Sequence, residues 1–315
     1  LNYFLKKGSI ISLPKIKKVI WSIGQPEMPA NSLKSRTKGY LFGILGVLIL
    51  SPDTLLIRLV DTSPWTFLTW RGGLMTIGMI LVLSLSYRSK LLEKIHAIGW
   101  LGLLIALIFA INTTFFQLSV QTTNVANTLV IIATAPLFAA ILSVIFLKER
   151  IPVRTWVTIL ICFLAVGLVF AGRLNGGHLF GNFAALISAI GLGTHFVLVR
   201  LKREVDMTPA IGLASLLTCF IGFNMSSDLY LEPQQLGYLA ILGLILLPIS
   251  FILLTRAPIY ISAPEVSLVI LLETILAPIW VWLAIQEEPP LTTLIGGGVI
   301  IIALAIHAIQ SRNNR

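Results

Sequence analysis

Five ionisable residues stand inside stretches otherwise too apolar to hold them: Asp53, Arg71, His195, Glu265 and Glu273. An ionisable side chain at mid-bilayer costs at least about 2.5 kcal/mol, and such groups normally face a bundle interior, a partner or a water-filled cavity. Glu273 poses the problem most sharply. It sits near the middle of the apolar run from Pro264 to Ile285, and about 20 helical residues suffice to cross a hydrocarbon core. A helix turns by 100° per residue, so the eight steps from Glu265 to Glu273 return to within about 80° of the same face. That face reads as the lining of a polar cavity in a multi-span transporter. There Glu273 has three uses: to share a proton with a neighbour, to hold a substrate amine, or to pair structurally with Arg71. Glu265, near its helix start, reads first as a first-turn carboxylate favoured by the helix dipole, and second as a gating residue.

Asp53 lies about 20 Å into its span from one face, and Arg71 about 9 Å into the next span from the other. The depths nearly coincide, so an Asp53–Arg71 ion pair is expected, and it would lower the desolvation cost of both groups. Its role is either structural or part of a site. Pro52 cannot continue the helical ladder, so span one should kink beside Asp53. His195 is either hydrogen-bonded within the bundle or functional. Asn112, Gln117, Asn127 and Tyr260 either orient a substrate or bridge helices. Trp280 and Trp282 lie deep enough to wall a pocket. These readings make Asp53, Arg71, Asn112, Gln117, Asn127, His195, Tyr260, Glu265 and Glu273 the candidate substrate and proton residues. No Walker motif, nucleophile elbow or metal-ligand cluster accompanies them. Neither an enzyme, nor an ATP-driven pump, nor a bound cofactor or metal is expected.

The elements that position these residues are membrane spans. Hydrophobic residues make up 57% of the 315 and charged ones only 11%, against roughly 25% charged in soluble domains. The net charge of +10 sits in short basic blocks between apolar segments, which marks membrane topology and not a nucleic-acid surface. Ten apolar spans are expected, at 40–57, 65–86, 98–117, 124–147, 155–171, 180–199, 208–226, 236–254, 264–285 and 291–309. With the amino terminus inside, twenty of the 23 Lys and Arg fall in inside segments, Arg256 among them. Arg58 and Arg173 fall outside, and Arg71 lies within a span. The bias puts both termini in the cytoplasm. The arm 1–38, with eight basic residues against Glu27, is either a tail or in part an interfacial helix on anionic lipid. A shift of 142 places Gly39 on Gly181 and Leu50 on Leu192, and a shift of 138 places Glu149 on Glu287 and Pro152 on Pro290. Five spans per half is an odd number, so the second half enters from the opposite side. Such inverted repeats place substrate sites at the repeat interface, near the midplane.

The segment TLVIIATAPLFAAILSVIFLKERIP (128–152) resembles the closing part of an EamA domain of the drug/metabolite transporter superfamily. Pro136 and Glu149 occupy that family's marks, and Arg71 in FLTWRGG matches its early second-span arginine. The second half resembles another EamA domain, with Glu273 and Glu287 at corresponding places. There are departures: Thr274 stands where a proline usually follows, and Lys148 and Gln286 replace a glycine. SPDT (51–54) replaces a Trp-Gly pair. The resemblance implies an all-α integral membrane protein of ten transmembrane helices in two inverted five-helix repeats. Residues 1–38 would be the arm, 39–172 and 173–310 the repeats, and 311–315 a cytoplasmic tail. It further implies alternating-access movement of small metabolites, read here as export of amino-acid-like solutes, either proton-coupled or by exchange. An importer on the same fold and a non-transporting scaffold are the alternatives. The expected partners are a small-molecule substrate and the lipid bilayer, with protons and a homodimer left open. The expected location is the bacterial plasma (inner) membrane.

Overall fold

The computed structural model describes residues 33–123, 125–169, 179–285 and 291–313. The arm up to residue 32 and the family mark at Glu287 lie outside the described residues. Every regular element among those described is helical. The chain runs through α1 (Leu33–Leu50), α2 (Asp53–Val60), α3 (Pro64–Tyr87), α4 (Leu91–Ala97) and α5 (Gly99–Thr122). It continues with α6 (Val125–Ile132), α7 (Ala135–Phe146), α8 (Val153–Val169), α9 (Leu179–Leu201) and α10 (Thr208–Met225). After α11 (Pro233–Ile241) a π-helical turn over Leu242–Leu246 leads into α12 (Leu247–Tyr260). The last elements are α13 (Ala263–Ile270), α14 (Glu273–Ile285) and α15 (Leu291–Asn313). Eight helical runs are long and apolar enough to cross a bilayer, and the shorter apolar runs Val153–Leu168 and Ile295–Gln310 bring the spans to ten.

One residue sits differently from its reading in the sequence. Arg256, expected in an inside loop, lies within α12 and is 2% exposed. The helix continues past it because partners wait inside the protein: Asp206 and the Tyr87 hydroxyl both meet its guanidinium.

The packing carries the repeat. α1 packs chiefly on α12, α5 on α9, α3 on α10 and α8 on α15, while α7 packs on both α9 and α13. In order of spans, the first pairs with the eighth, the third with the sixth, the second with the seventh, the fourth with the ninth and the fifth with the tenth. Exchanging the two five-span halves turns the 1–8 pair into the 6–3 pair and leaves the other three unchanged. That is a pseudo-two-fold. With ten crossings, α1 begins and α15 finishes at the same end of the bundle, called here the terminal end; the other is the distal end.

Three spans are broken. Span one stops at Leu50 and restarts at Asp53, span four stops at Ile132 and restarts at Ala135, and span nine stops at Ile270 and restarts at Glu273. The last two breaks are 138 residues apart, the interval of the sequence repeat. Proline explains the first two. Pro52 has no N–H for the ladder, and Pro136 leaves the Ile132 carbonyl without its donor. In span nine the turn tightens instead, with Leu271 N donating to Leu268 O and Thr274 N to Leu271 O, each at 3.1 Å.

Small residues set a close helix approach between α3 and α10. A Cβ on Gly72 would lie 2.6 Å from the Cys219 nitrogen and 2.7 Å from the Ser215 carbonyl, whereas on Gly73 it would meet only Cys219 Sγ at 3.4 Å. Backbone cannot yield as a side chain can. Gly72→Ala is therefore expected to cost about 1–3 kcal/mol by overpacking and Gly73→Ala much less. Thermal unfolding of the two variants in detergent checks this, and equal midpoints would refute it.

Candidate functional site

The three breaks meet at one cavity of about 100 Å³. Leu50 and Asp53 reach it from span one, Ile132 and Ala133 from span four, and Ile270, Leu271, Glu273 and Thr274 from span nine. Arg71 enters from α3, Asn112 and Thr113 from α5, Ser188 from α9, and Phe251 from α12. Both repeats contribute to its wall.

Asp53 and Glu273 are the first residues of α2 and α14. At a helix start each carboxylate lies by the positive end of the helix dipole, which favours it, though around Glu273 the N–H groups of Thr274, Ile275 and Leu276 already bond to the Leu271 and Leu272 carbonyls. The repeat mate of Glu273 is Ala135, first residue of α7, so the acid of this broken pair stands on one repeat only.

The charges are unevenly matched. Arg71 Nη2 donates to Asp53 Oδ2 at 2.7 Å, with each side chain 6% exposed. Arg71 Nη1 and Asp53 Oδ1, both buried, have no hydrogen-bond partner among the described residues, and Phe67 lies beneath the guanidinium at 5.9 Å. Glu273 is within electrostatic reach of both members of the pair but forms no ion pair or hydrogen bond with a described residue. It is half-buried and lines the cavity. Elsewhere the wall is neutral: Ser188 Oγ donates to Asn112 Oδ1 at 2.7 Å, which leaves the Asn112 amide hydrogens for another acceptor.

Of the nine sequence candidates, Asp53, Arg71, Asn112 and Glu273 line this cavity. His195 does not. Its ring packs 5.0 Å from that of Phe109, which separates it from the cavity, and 5.1 Å from that of Phe196, with Nδ1 unbonded. Gln117 lies one helical turn beyond Thr113, fully buried, and neither amide atom has a partner. The Asn127 side chain lies outside the described residues.

Glu265 and Tyr260 belong to a different place. Glu265 completes a capping box with Ser262 at the start of α13 and accepts from Arg36 Nη2 at 2.6 Å and Tyr40 Oη at 2.8 Å. His307 Nε2 is 3.5 Å from the same carboxylate. Tyr260 meets the Phe42 ring edge-on at 5.7 Å, with Lys38 Nζ 5.1 Å from its own ring. The eight-residue spacing of Glu265 and Glu273 assumed one continuous helix. The break at 271–272 cancels that phase, so the two acids serve separate clusters. Trp280 and Trp282, expected to wall the pocket, are 37% and 40% exposed instead. Trp280 Nε1 donates to Ser51 Oγ at 2.7 Å, tying α14 to the break in span one.

Sequence reasoning passed over Thr113, Ser188 and the aromatic wall of Phe109, Phe116 and Phe251. Thr113 adjoins Asn112 and could have been found with it. Nothing in local spacing sets Ser188 or the phenylalanines apart from other residues of apolar spans.

Ten helical spans, an internal pseudo-two-fold and a partly charged cavity at broken helices between the halves define a membrane transporter of the inverted-repeat kind. The chain matches the EamA-like transporter family over residues 37–171 and again over 179–309, and it belongs to that family. It is 27% identical over 222 residues to a Bacillus subtilis protein named Uncharacterized transporter YdfC, spanning 67% of this chain and 70% of that one. It is 25% identical over 266 residues to a Synechocystis protein named Uncharacterized transporter sll1164, spanning 76% and 74%. A solved structure titled only as the crystal structure of a protein superimposes with a TM-score of 0.71, covering 88% of this chain and 98% of that one. At 16% identity that match speaks to the fold alone.

Proposed function

We propose that this chain is a secondary-active exporter of small amino-acid-like metabolites, working by alternating access, with Glu273 carrying proton coupling or holding a substrate amine. The observation that carries the reading is the unequal charge of the cavity. Asp53 is engaged by Arg71, while Glu273 faces the cavity without a hydrogen-bond or ion-pair partner among the described residues. A lone carboxylate offers a place for a proton or an ammonium, and Arg71 Nη1 offers a donor to a carboxylate. Phe109, Phe116 and Phe251 supply an apolar wall. At about 100 Å³ the cavity is below the roughly 300–1,000 Å³ of drug-sized sites, which favours a small solute.

The excess of Lys and Arg in alternate loops supports cytoplasmic termini, and the bacterial sources of the named relatives support a plasma-membrane location. Purified protein in liposomes, loaded in turn with a metabolite library inside or outside, tests function and direction together. Export gives net movement of amino-acid-like solutes from the cytoplasmic side, and an imposed proton gradient changes its rate if Glu273 couples protons. No solute movement in either direction, from folded protein, would sink the transport reading. In intact cells Ser227→Cys is expected to label from the outside and Lys202→Cys only after permeabilisation. The reverse pattern overturns the orientation.

A further inference from the structure

Contacts between the repeats differ in kind at the two ends of the bundle. At the terminal end they are ionic. Arg36 of the first repeat binds Glu265 of the second at 2.6 Å. Glu149 of the first receives Arg200 Nε of the second at 2.8 Å, and Arg200 Nη1 also donates to the carbonyls of Pro258 and Ile261 at the end of α12. Asp206 and Arg256 of the second repeat pair with side chains 2% and 3% exposed, and Tyr87 of the first donates to Asp206 Oδ2 at 2.7 Å. At the distal end the contacts across the repeats, among the described residues, are neutral. Thr66 Oγ1 donates to the Asp228 carbonyl at 2.7 Å, Trp70 Nε1 to the Leu229 carbonyl at 3.0 Å, and Gln235 Nε2 to the Val60 carbonyl at 2.6 Å.

An apolar plug stands between the cavity and the ionic end. Ala139, Phe196, Ala257 and Val266 are 0–2% exposed and pack as one cluster. Leu192 and Ile270 touch that cluster and also line the cavity. Leu192 and Ile270 are half-buried, as are Thr113, Phe116, Leu129 and Ile132 on other sides of the cavity.

We infer that the three ionic clasps, centred on Asp206, Arg256 and Tyr87, are the gate at the terminal end: positioning residues that hold the plug shut and bias the resting protein to open at the distal end. The inference rests on the alternating-access reading. The ion pairs that cross the repeats, Arg36–Glu265 and Arg200–Glu149, lose their Coulomb partners when the ends separate. The buried Asp206–Arg256 pair loses the Tyr87 hydroxyl and its shelter, whereas neutral bonds can be exchanged for water at little cost. Separation at the terminal end is therefore the costlier of the two. Acid does not supply the release. Burial by itself would push the Asp206 carboxyl up, but Arg256, Thr208 and Tyr87 outweigh it and hold it below the ordinary carboxylate range. The stabilisation from such a depressed carboxylate is present above its unfolded value and lost only as pH falls through the lower folded one. The clasp thus stays ionised at physiological pH, and the conformational change that accompanies transport must open it.

The test is cysteine accessibility in the plug. Full-length protein with Cys162→Ala and Cys219→Ala, carrying Val266→Cys, is labelled in detergent with a water-soluble maleimide and no substrate. Slow labelling is expected. Asp206→Asn, and separately the half-exposed Glu149→Gln, should raise the rate about tenfold or more. Thr66→Val at the distal end should not. The double exchange Asp206→Arg with Arg256→Asp should bring the rate back toward the parent value. Thermal midpoints near the parent's confirm that the labelled variants are folded, and Glu149→Gln, at the protein margin, serves if Asp206→Asn does not fold. Unchanged labelling in folded clasp variants, or an equal rise in Thr66→Val, overturns the gate. Because no solute is used, the two readings fail separately: faster labelling with no transport in liposomes removes the transporter reading, and transport with unchanged labelling removes the gate.

Discussion

Glu273→Gln is expected to lower the transport rate by about 10²-fold or more, the scale of losing a proton-transfer group, or to abolish its dependence on the proton gradient. The glutamine keeps the length and hydrogen-bonding capacity of the side chain and removes its titration. Nothing in the fold depends on the charge, because Glu273 has no ion-pair or hydrogen-bond partner among the described residues and only the helix start of α14 beside it. Folding and membrane insertion should therefore persist, and the thermal midpoint should hold or rise, since a neutral amide is cheaper to keep in a membrane interior than an ionisable acid. The measurement is initial transport rate against pH, made beside a melting curve on the same reconstituted sample. A parent-like pH profile with a parent-like midpoint would remove Glu273 from the mechanism. A lowered midpoint with undiminished turnover of the surviving protein would make it structural.

Arg71 and Asp53 should show the opposite balance, with stability responding first. Asp53→Asn leaves a guanidinium 6% exposed without its hydrogen-bonded counter-charge, and removing one member of a buried pair typically costs about 3–5 kcal/mol. Arg71→Gln strands Asp53 in the same way, though the α2 helix start offsets part of the cost. Each single change is expected to deplete folded protein in the membrane. The exchange Asp53→Arg with Arg71→Asp should recover part of the yield, because the pair re-forms with its ends reversed. Yield and thermal midpoint of the two reversals and the double variant form a double-mutant cycle. Simple addition of the two losses would show that the residues are not coupled. Recovery of folding without recovery of transport is the expected detail, since the free Nη1 would then face away from the cavity wall that Phe251 and Asn112 share.

Hydrophobicity and repetition are one-dimensional properties, and the sequence determined what depends on them. The ten spans follow from runs of apolar residues, because a bilayer admits little else at that length. The two halves follow from matched positions such as Glu149 and Glu287, and their opposed sense follows from five being odd. The Asp53–Arg71 pairing was legible as well, because depth in a membrane can be counted residue by residue from a span's edge.

What the sequence could not decide is rotation about the helix axes and the meeting of distant spans. Glu265 and Glu273 share a face only if span nine is continuous, and the tight turn at Leu271–Leu272 resets the phase. No proline stands beside that turn to announce it, as Pro52 and Pro136 do at the other two breaks. His195 and Arg71 both lie in apolar spans, yet Phe109 stands between one and the cavity while the other enters it. Arg256 looked like a loop residue because a lone arginine near a span end usually reaches water; only the fold brings it Asp206 and Tyr87. Such partners are separated by 50 and 169 positions along the chain. Whether a charge is sheltered in a membrane protein is decided by the neighbour across the helix interface, and that neighbour is a property of tertiary packing alone.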